Sequence, residues 1–256
     1  MFQRADEATS YSQFGQDRLI ADLLNHRKGG TFLDIGAFDG ETYSNSLLFE
    51  RHYGWQGICV EPLPEAFDNL KKIRKCISVN AAAGEAIGKL QFEALSGYGA
   101  MLSGATSSRP AAHGARISNE QQSHGFERRM IEVDVVRAAD LLRQHGMQTV
   151  DFVSIDVEGA ELKCLKGLLD PDIVVRTLSI ENNYGDAEVV NYLAERGYVR
   201  LTLAGEDDVY RLRRECGAKD YGLMIMTAPC RWLRDRKRRR NANNALRTVS
   251  AQESAA

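Results

Sequence analysis

Three short runs of this sequence carry side chains suited to chemistry, and each closes a stretch that reads as a buried strand. The first is Asp34-Ile-Gly-Ala-Phe-Asp-Gly40, which overlaps the apolar run TFLDI. Glycine in a strand-to-helix turn lets the backbone approach a ligand closely, and a helix that follows offers unpaired N–H groups. About twenty residues beyond the turn, Glu61 ends the next strand, GICVE. A carboxylate at that place can accept hydrogen bonds from both hydroxyls of a ribose. The glycines are spaced G-x-x-x-G, so the dinucleotide fingerprint G-x-G-x-x-G is not met and an NAD-dependent oxidoreductase loses its main support. The plainer alternative is a turn glycine with Asp39 as a helix cap.

The second run is Asp156-Val-Glu158-Gly-Ala-Glu161, directly after VDFVSI. Open α/β sheets bind ligands at the carboxyl ends of their strands. Acids in a first helical turn also complement the helix dipole, which competes most strongly for Glu161. The third is Ser179-Ile-Glu181-Asn182-Asn183, ending the next strand. Asp156, Glu181 and Asn182 together would offer oxygen ligands to a hard cation such as Mg²⁺. Alternatively, Glu181 and Asn182 bond substrate hydroxyls or loop backbone.

Other features are less committed. Tyr11–Asp17 (YSQFGQD) reads as a helix N-terminus packing across the sheet. His113 and His124 lie in a polar stretch, where each is either a general base or a solvated bystander. The sequence contains no G-x-S-x-G, H-E-x-x-H or G-x-x-x-x-G-K-[ST], which leaves serine hydrolase, zincin and P-loop readings without support.

The elements that would position these residues alternate strand and helix, the pattern of a mostly parallel sheet. Strands are expected at Thr31–Ile35, 57–61, ISVNAAA before Gly84, KLQFEAL (a short extra strand), 131–136, 150–155, 174–181, 198–203, 209–212 and 223–227. Helices are expected at about 41–52, 64–75, 137–145, 158–169 and 187–196. Pro64 suits a first helical turn, and Leu162, Leu165 and Leu169 share one helical face. Residues 96–128 show no sustained period and read as a long loop or lid. An N-terminal extension (1–10), a main domain (11–228) and a basic tail (229–256) complete the expected organisation.

Composition fits that picture. The chain has 256 residues, 43% hydrophobic and 27% charged, close to an average soluble domain. The net charge of −2 conceals an asymmetry: residues 231–256 hold eight Lys/Arg against two Asp/Glu (+6), leaving 25 against 33 (−8) in the rest. The basic run 231–240 can touch anionic surfaces or remain a solvated tail. Five cysteines without C-x-x-C spacing argue against a disulfide framework or zinc site. With no apolar h-region and no apolar run of 18, a cytoplasmic protein is expected.

The runs SQFGQD, FLDIGAFDGETYSNS, GWQGICVEPLPEAFDNL, VNAAAG, DFVSIDVEGAELKCLKG and LSIENN together resemble the FkbM family of S-adenosylmethionine-dependent methyltransferases. The resemblance covers about residues 11–227. It implies a class I methyltransferase fold: an α/β, Rossmann-like, seven-stranded sheet with helices on both faces and the last strand antiparallel. By position, Asp34, Gly36, Ala37 and Gly40 would meet the methionine part of the cofactor and Glu61 its ribose. Pro62, Leu63, Asn80 and Ala81 would border the adenine. Asp156 and Glu158 would face the reacting centre as base or metal ligand. Phe38 departs from the glycine or asparagine that relatives carry and is assigned no direct role.

The function implied is O-methylation of a hydroxyl on a sugar, glycolipid or secondary metabolite, with a Mg²⁺ ion as an optional helper. No Pro-Pro-Tyr/Phe run follows Asp156, which lowers nucleic-acid methylation. The competing function is a non-catalytic binding module, although such a scaffold needs none of Asp34, Glu61 and Asp156. Neither the acceptor nor the oligomeric state is legible.

Overall fold

The computed structural model describes residues 10–108, 110–183 and 185–253. The expected N-terminal extension, apart from Ser10, lies outside the described residues, as do the last three of the tail. In chain order the elements are α1 (Gln16–Leu23), β1 (Thr31–Ile35), α2 (Leu47–Tyr53), β2 (Gln56–Val60), α3 (Pro64–Ile73), β3 (Ile77–Val79), β4 (Ala82–Ala83), β5 (Gly88–Leu95), β6 (Gly104–Ala105), α4 (Ala111–His124), β7 (Arg128–Val136), α5 (Ala138–Gln144), β8 (Thr149–Ile155), α6 (Glu161–Leu168), β9 (Val174–Glu181), α7 (Ala187–Glu195), β10 (Tyr198–Ala204), β11 (Asp207–Leu212) and α8 (Ala218–Glu253).

Seven strands form one α/β sheet in the order β10-β11-β9-β8-β1-β2-β3. The pairs β9–β8, β8–β1, β1–β2 and β2–β3 are parallel, whereas β11 runs antiparallel to both its neighbours. The last strand is therefore reversed, as the family resemblance implies. Side chains alternate between faces along a strand. Leu33, Ile35, Val153 and Ile155 enter one core layer, while Phe32 and Phe152 enter the other. Burial on both faces is why these strands read as mostly apolar runs rather than alternating ones.

The sequence order reverses between β1 and β8, and a crevice opens at such a switch point. Ile35 pairs with Ile155 in register, so Gly36 and Asp156 leave the sheet side by side.

Several expectations need correction. ISVNAAA is two strands: β3 joins the main sheet, and β4 pairs with β7 in a second sheet of order β4-β7-β5-β6. KLQFEAL is no minor strand, since β5 pairs with β7 along its whole length. Residues 96–128 are not a structureless loop. They contain a 3₁₀ turn at Gly97–Leu102, β6 and the 14-residue α4, gathered around a small core of Leu95, Leu102, Ile117 and Phe126.

Residues 223–227 are helical. They lie in α8, and β11 between β9 and β10 is the last strand of the sheet. The boundary expected at 228/229 falls inside α8, which runs through Pro229. Helix α2 starts at Leu47 rather than near Glu41, because Asp39 accepts from the amides of Glu41 and Thr42 and folds that stretch into a turn. The glycine turn is thus not a helix start. The five cysteines are free, and no described helix is long and apolar enough to cross a membrane.

Candidate active site

The turn after β1 is fixed by its backbone. Gly36 and Gly40 have φ of 83° and 84°, a region where L side chains are strained. The Gly36 and Ala37 amides donate to the Val60 carbonyl at 2.9 and 3.2 Å. A Cβ at Gly36 would stand 1.7 Å from the Asp156 carbonyl oxygen. Only glycine lets the two strand ends approach this closely.

Those ends border a cavity of about 360 Å³, within the usual range of small-molecule sites. Gly36, Glu61, Pro62, Ala81, Asp156 and Glu158 all line it. The run Ala81-Ala82-Ala83-Gly84 leaves one wall without bulk, and Leu90, Phe92 and Val135 of the second sheet roof it. Ala100, Met101 and Ser103 reach it from the stretch 96–128. Phe38, given no role from sequence, stands in the wall between this cavity and a neighbouring one of about 470 Å³.

Glu61 is only 5% exposed. Its two carboxylate oxygens accept from the amides of Leu63 and Phe38 at 2.8 and 2.9 Å. Burial pushes its pKa up to about 7, although those two hydrogen bonds pull the other way. Each oxygen keeps a lone pair for a ligand donor.

Not every predicted residue meets the cavity. Asp34 is buried away from it, accepting from Ser46 Oγ at 2.5 Å and lying 4.0 Å from Arg74. Burial raises its pKa, against the pull of Arg74 and Ser46. Asp34 thus braces the turn from behind. Ala37 and Gly40 shape the turn without lining the cavity. Leu63 faces the neighbouring cavity. Asn80 Nδ2 donates to the carbonyls of Glu61 and Pro62 at 2.8 and 3.2 Å, tying two strand ends together.

Around Asp156 lies a carboxylate cluster. One oxygen each of Asp156, Glu158 and Glu181 lies within 4.8 Å of the others. Asp156 is solvent-exposed where it opens to the cavity, and crowding by the surrounding protein followed by the charges of Glu158 and Asp207 raises its pKa well above the usual range. Burial and then Asp156 do the same to Glu181. Glu161 is pushed up to about 7, chiefly by burial, while accepting from the Gly159 amide at 2.9 Å. Glu158 has a left-handed φ of 55°, an uncommon conformation for a residue with a side chain and one that recurs at functional sites.

Asn182 does not join the cluster as a ligand. Its Oδ1 accepts from the Asp186 amide at 2.7 Å and its Nδ2 donates to Asp208 at 2.9 Å. The geometry replaces it with Glu158 among the candidate cation ligands.

One residue escaped the sequence reading, and a second was left between two readings. Arg74, 5% exposed, donates to the Gly40 carbonyl and to Ser44, Ser46 and Glu50, clamping the turn. Its setting in KKIRK disguised it as a solvated charge. His113 was only one of two loop histidines, but it is fully buried, with Nδ1 3.0 Å from Glu158 Oε2 and Nε2 3.1 Å from the Leu102 carbonyl. The spacing of His113 and Ile117, one helical turn apart, was the available signal. His124 instead stacks on Tyr98, ring centroids 3.9 Å apart, away from the cavity.

A reversed-strand α/β sheet with a buried acid and a carboxylate cluster across one switch-point cavity is the architecture of a methyltransferase. The chain matches the Methyltransferase FkbM domain over residues 34–200 and belongs to that family of S-adenosylmethionine-dependent methyltransferases. Among solved structures it is similar to a methyltransferase FkbM from Methylobacillus flagellatus KT (15% identity, TM-score 0.42), covering 72% of this chain and 43% of that one. It thus spans less than half the length of that relative. It is also similar to the N-terminal domain of human METTL16 (14%, TM-score 0.39, covering 75% and 66%). A third is a putative RNA methyltransferase, PH1948, from Pyrococcus horikoshii (16%, TM-score 0.37, covering 77% and 82%). No curated protein matches the chain.

Proposed function

We propose that this protein O-methylates a hydroxyl of a sugar, glycolipid or secondary metabolite, using S-adenosylmethionine. One observation carries the reading: Glu61 and Asp156 line a single cavity whose Ala81–Gly84 wall is free of bulk. When bound, the donor supplies an electrophilic methyl on a sulfonium and leaves as a neutral thioether.

The residues present fit that donor. Glu61 is a buried acceptor aimed into the cavity, suited to two ribose hydroxyls. Pro62 and Ala81 line the same cavity and offer the apolar surface an adenine needs. Asp156 or Glu158 takes the acceptor's hydroxyl proton, a role favoured in Asp156 by a pKa raised well above the ordinary carboxylate range. Residues 96–128 cover the mouth and contribute acceptor contacts.

A divalent cation also fits Asp156, Glu158 and Glu181. Three carboxylates so close repel one another unless protons or a cation intervene. The ion would lower the hydroxyl pKa as a Lewis acid, and hard oxygen donors suit Mg²⁺. Turnover that survives EDTA would assign the cluster to proton transfer alone.

An isotope-labelled methyl donor incubated with cell extract, followed by identification of the labelled product, tests the whole reading. A labelled ether on a hydroxyl compound is expected from the wild type and not from Asp156→Ala. Undiminished labelling by that variant removes Asp156 from the chemistry.

A further inference from the structure

Helix α8 has two unlike faces. On one, Thr227 donates to the Leu201 carbonyl at 2.9 Å, and Arg231 donates to the same oxygen. Arg234 donates to the Gly205 carbonyl at 2.5 Å and pairs with Glu206 at 3.0 Å, and Arg238 pairs with the buried Asp208 at 2.9 Å. Residues 231, 234 and 238 recur at helical spacing, so three of the seven basic residues in 231–240 fasten the helix to the body.

The opposite face carries Tyr221, Ile225, Met226, Trp232 and Leu233, of which Met226 is 80% exposed and Ile225 68%. At 100° per residue these five side chains fall within one sector of the helix. Arg236, Lys237 and Arg240 continue the same sector and are exposed. Among the described residues no carboxylate lies within salt-bridge distance of these three cations, and Arg236 instead sits 5.6 Å above the Trp232 ring.

We propose that this face docks the protein peripherally onto an anionic lipid bilayer. A contiguous exposed apolar stripe on a soluble fold marks an interaction surface. Trp, Ile, Met and Leu beside Arg and Lys is the composition of an interfacial helix, whose apolar side chains enter the acyl boundary while cations meet headgroup phosphates. The rest of the chain is net acidic (−8), so the cations of α8 are the charge complement that an anionic surface selects. A nucleic acid would use the cations and leave Ile225, Met226 and Leu233 in water.

The test is co-sedimentation of the full chain with vesicles of phosphatidylcholine containing about 30% phosphatidylserine. Trp232 emission serves as a second readout, because the other tryptophan, Trp55, is only 3% exposed. Binding with a blue shift is expected, at least tenfold weaker on pure phosphatidylcholine. Neutralising Arg236, Lys237 and Arg240 together to glutamine should weaken binding about a hundredfold, near fivefold per charge removed. Trp232→Ser with Leu233→Ser should also release the protein, with an unchanged melting temperature because both sites are exposed. The proposal is overturned by absence of vesicle binding or by equal binding of the double serine variant. A dimer in light scattering that this variant dissolves also overturns it, since a second copy would then own the face.

Discussion

His113 Nδ1 stands 3.0 Å from Glu158 Oε2, and this contact joins α4 to the carboxylate cluster. The Leu102 carbonyl can only accept, so its contact with Nε2 requires a proton there. Helix α4 and the loop after β8 thus meet through this buried contact, inside a region that covers the cavity.

His113→Ala is predicted to loosen that cover. Loss of one partner from a buried polar pair costs about 1–3 kcal/mol. Limited proteolysis should cut within 96–128 faster in the variant, with turnover reduced, while the seven-stranded sheet stays intact by circular dichroism. Unchanged proteolysis would show that the contact does not hold the cover.

Glu61 should make stability fall as pH rises. Its folded pKa of about 7 lies above an ordinary value of 4.5, so between those values the folded state binds more protons than the unfolded one. Stability is then highest below pH 4.5 as far as this group is concerned, and it declines until about pH 7 by on the order of 3 kcal/mol. Glu61→Gln should flatten the melting temperature against pH over that window. An identical slope in the variant would assign the loss to other groups, Glu161 first among them.

Gly36→Ala should destabilise the protein severely. The added methyl meets the Asp156 carbonyl, and the left-handed φ adds its own strain. Overpacking alone costs about 1–3 kcal/mol. A fall in melting temperature with lost cofactor binding is expected. A wild-type melt would mean that the β1 and β8 ends can part freely.

Arg74→Met should cost about 3–5 kcal/mol by leaving buried Asp34 and Glu50 without their partner. Urea unfolding measures it. A shift below 1 kcal/mol would show that Arg74 does not brace the turn.

Much of this site was readable in the chain because its residues end strands buried on both faces. TFLDI, GICVE and VDFVSI are mostly apolar runs, and Gly36, Glu61 and Asp156 sit just past or at their ends. What stayed hidden depended on packing between distant segments. Arg74 is buried only because the turn at Gly40 folds over it. ISVNAAA changes sheets without a proline or glycine to mark the change. Helix α4 buries little beyond His113 and Ile117, too weak a stripe to stand out from its polar neighbours. Seven cations in 231–240 read as uniformly solvated, although the spacing of Arg231, Arg234 and Arg238 holds the docked face.

Titration calorimetry with S-adenosylhomocysteine on the wild type and on Glu61→Gln reaches the centre of the account. At about pH 8.5, where Glu61 is ionised, one molecule should bind per chain, and the glutamine variant should bind about tenfold or more weakly, the loss of a charged hydrogen-bond acceptor. No heat from the wild type, or equal affinity in both proteins, would contradict a nucleoside held by Glu61 in the cavity that Asp156 also lines.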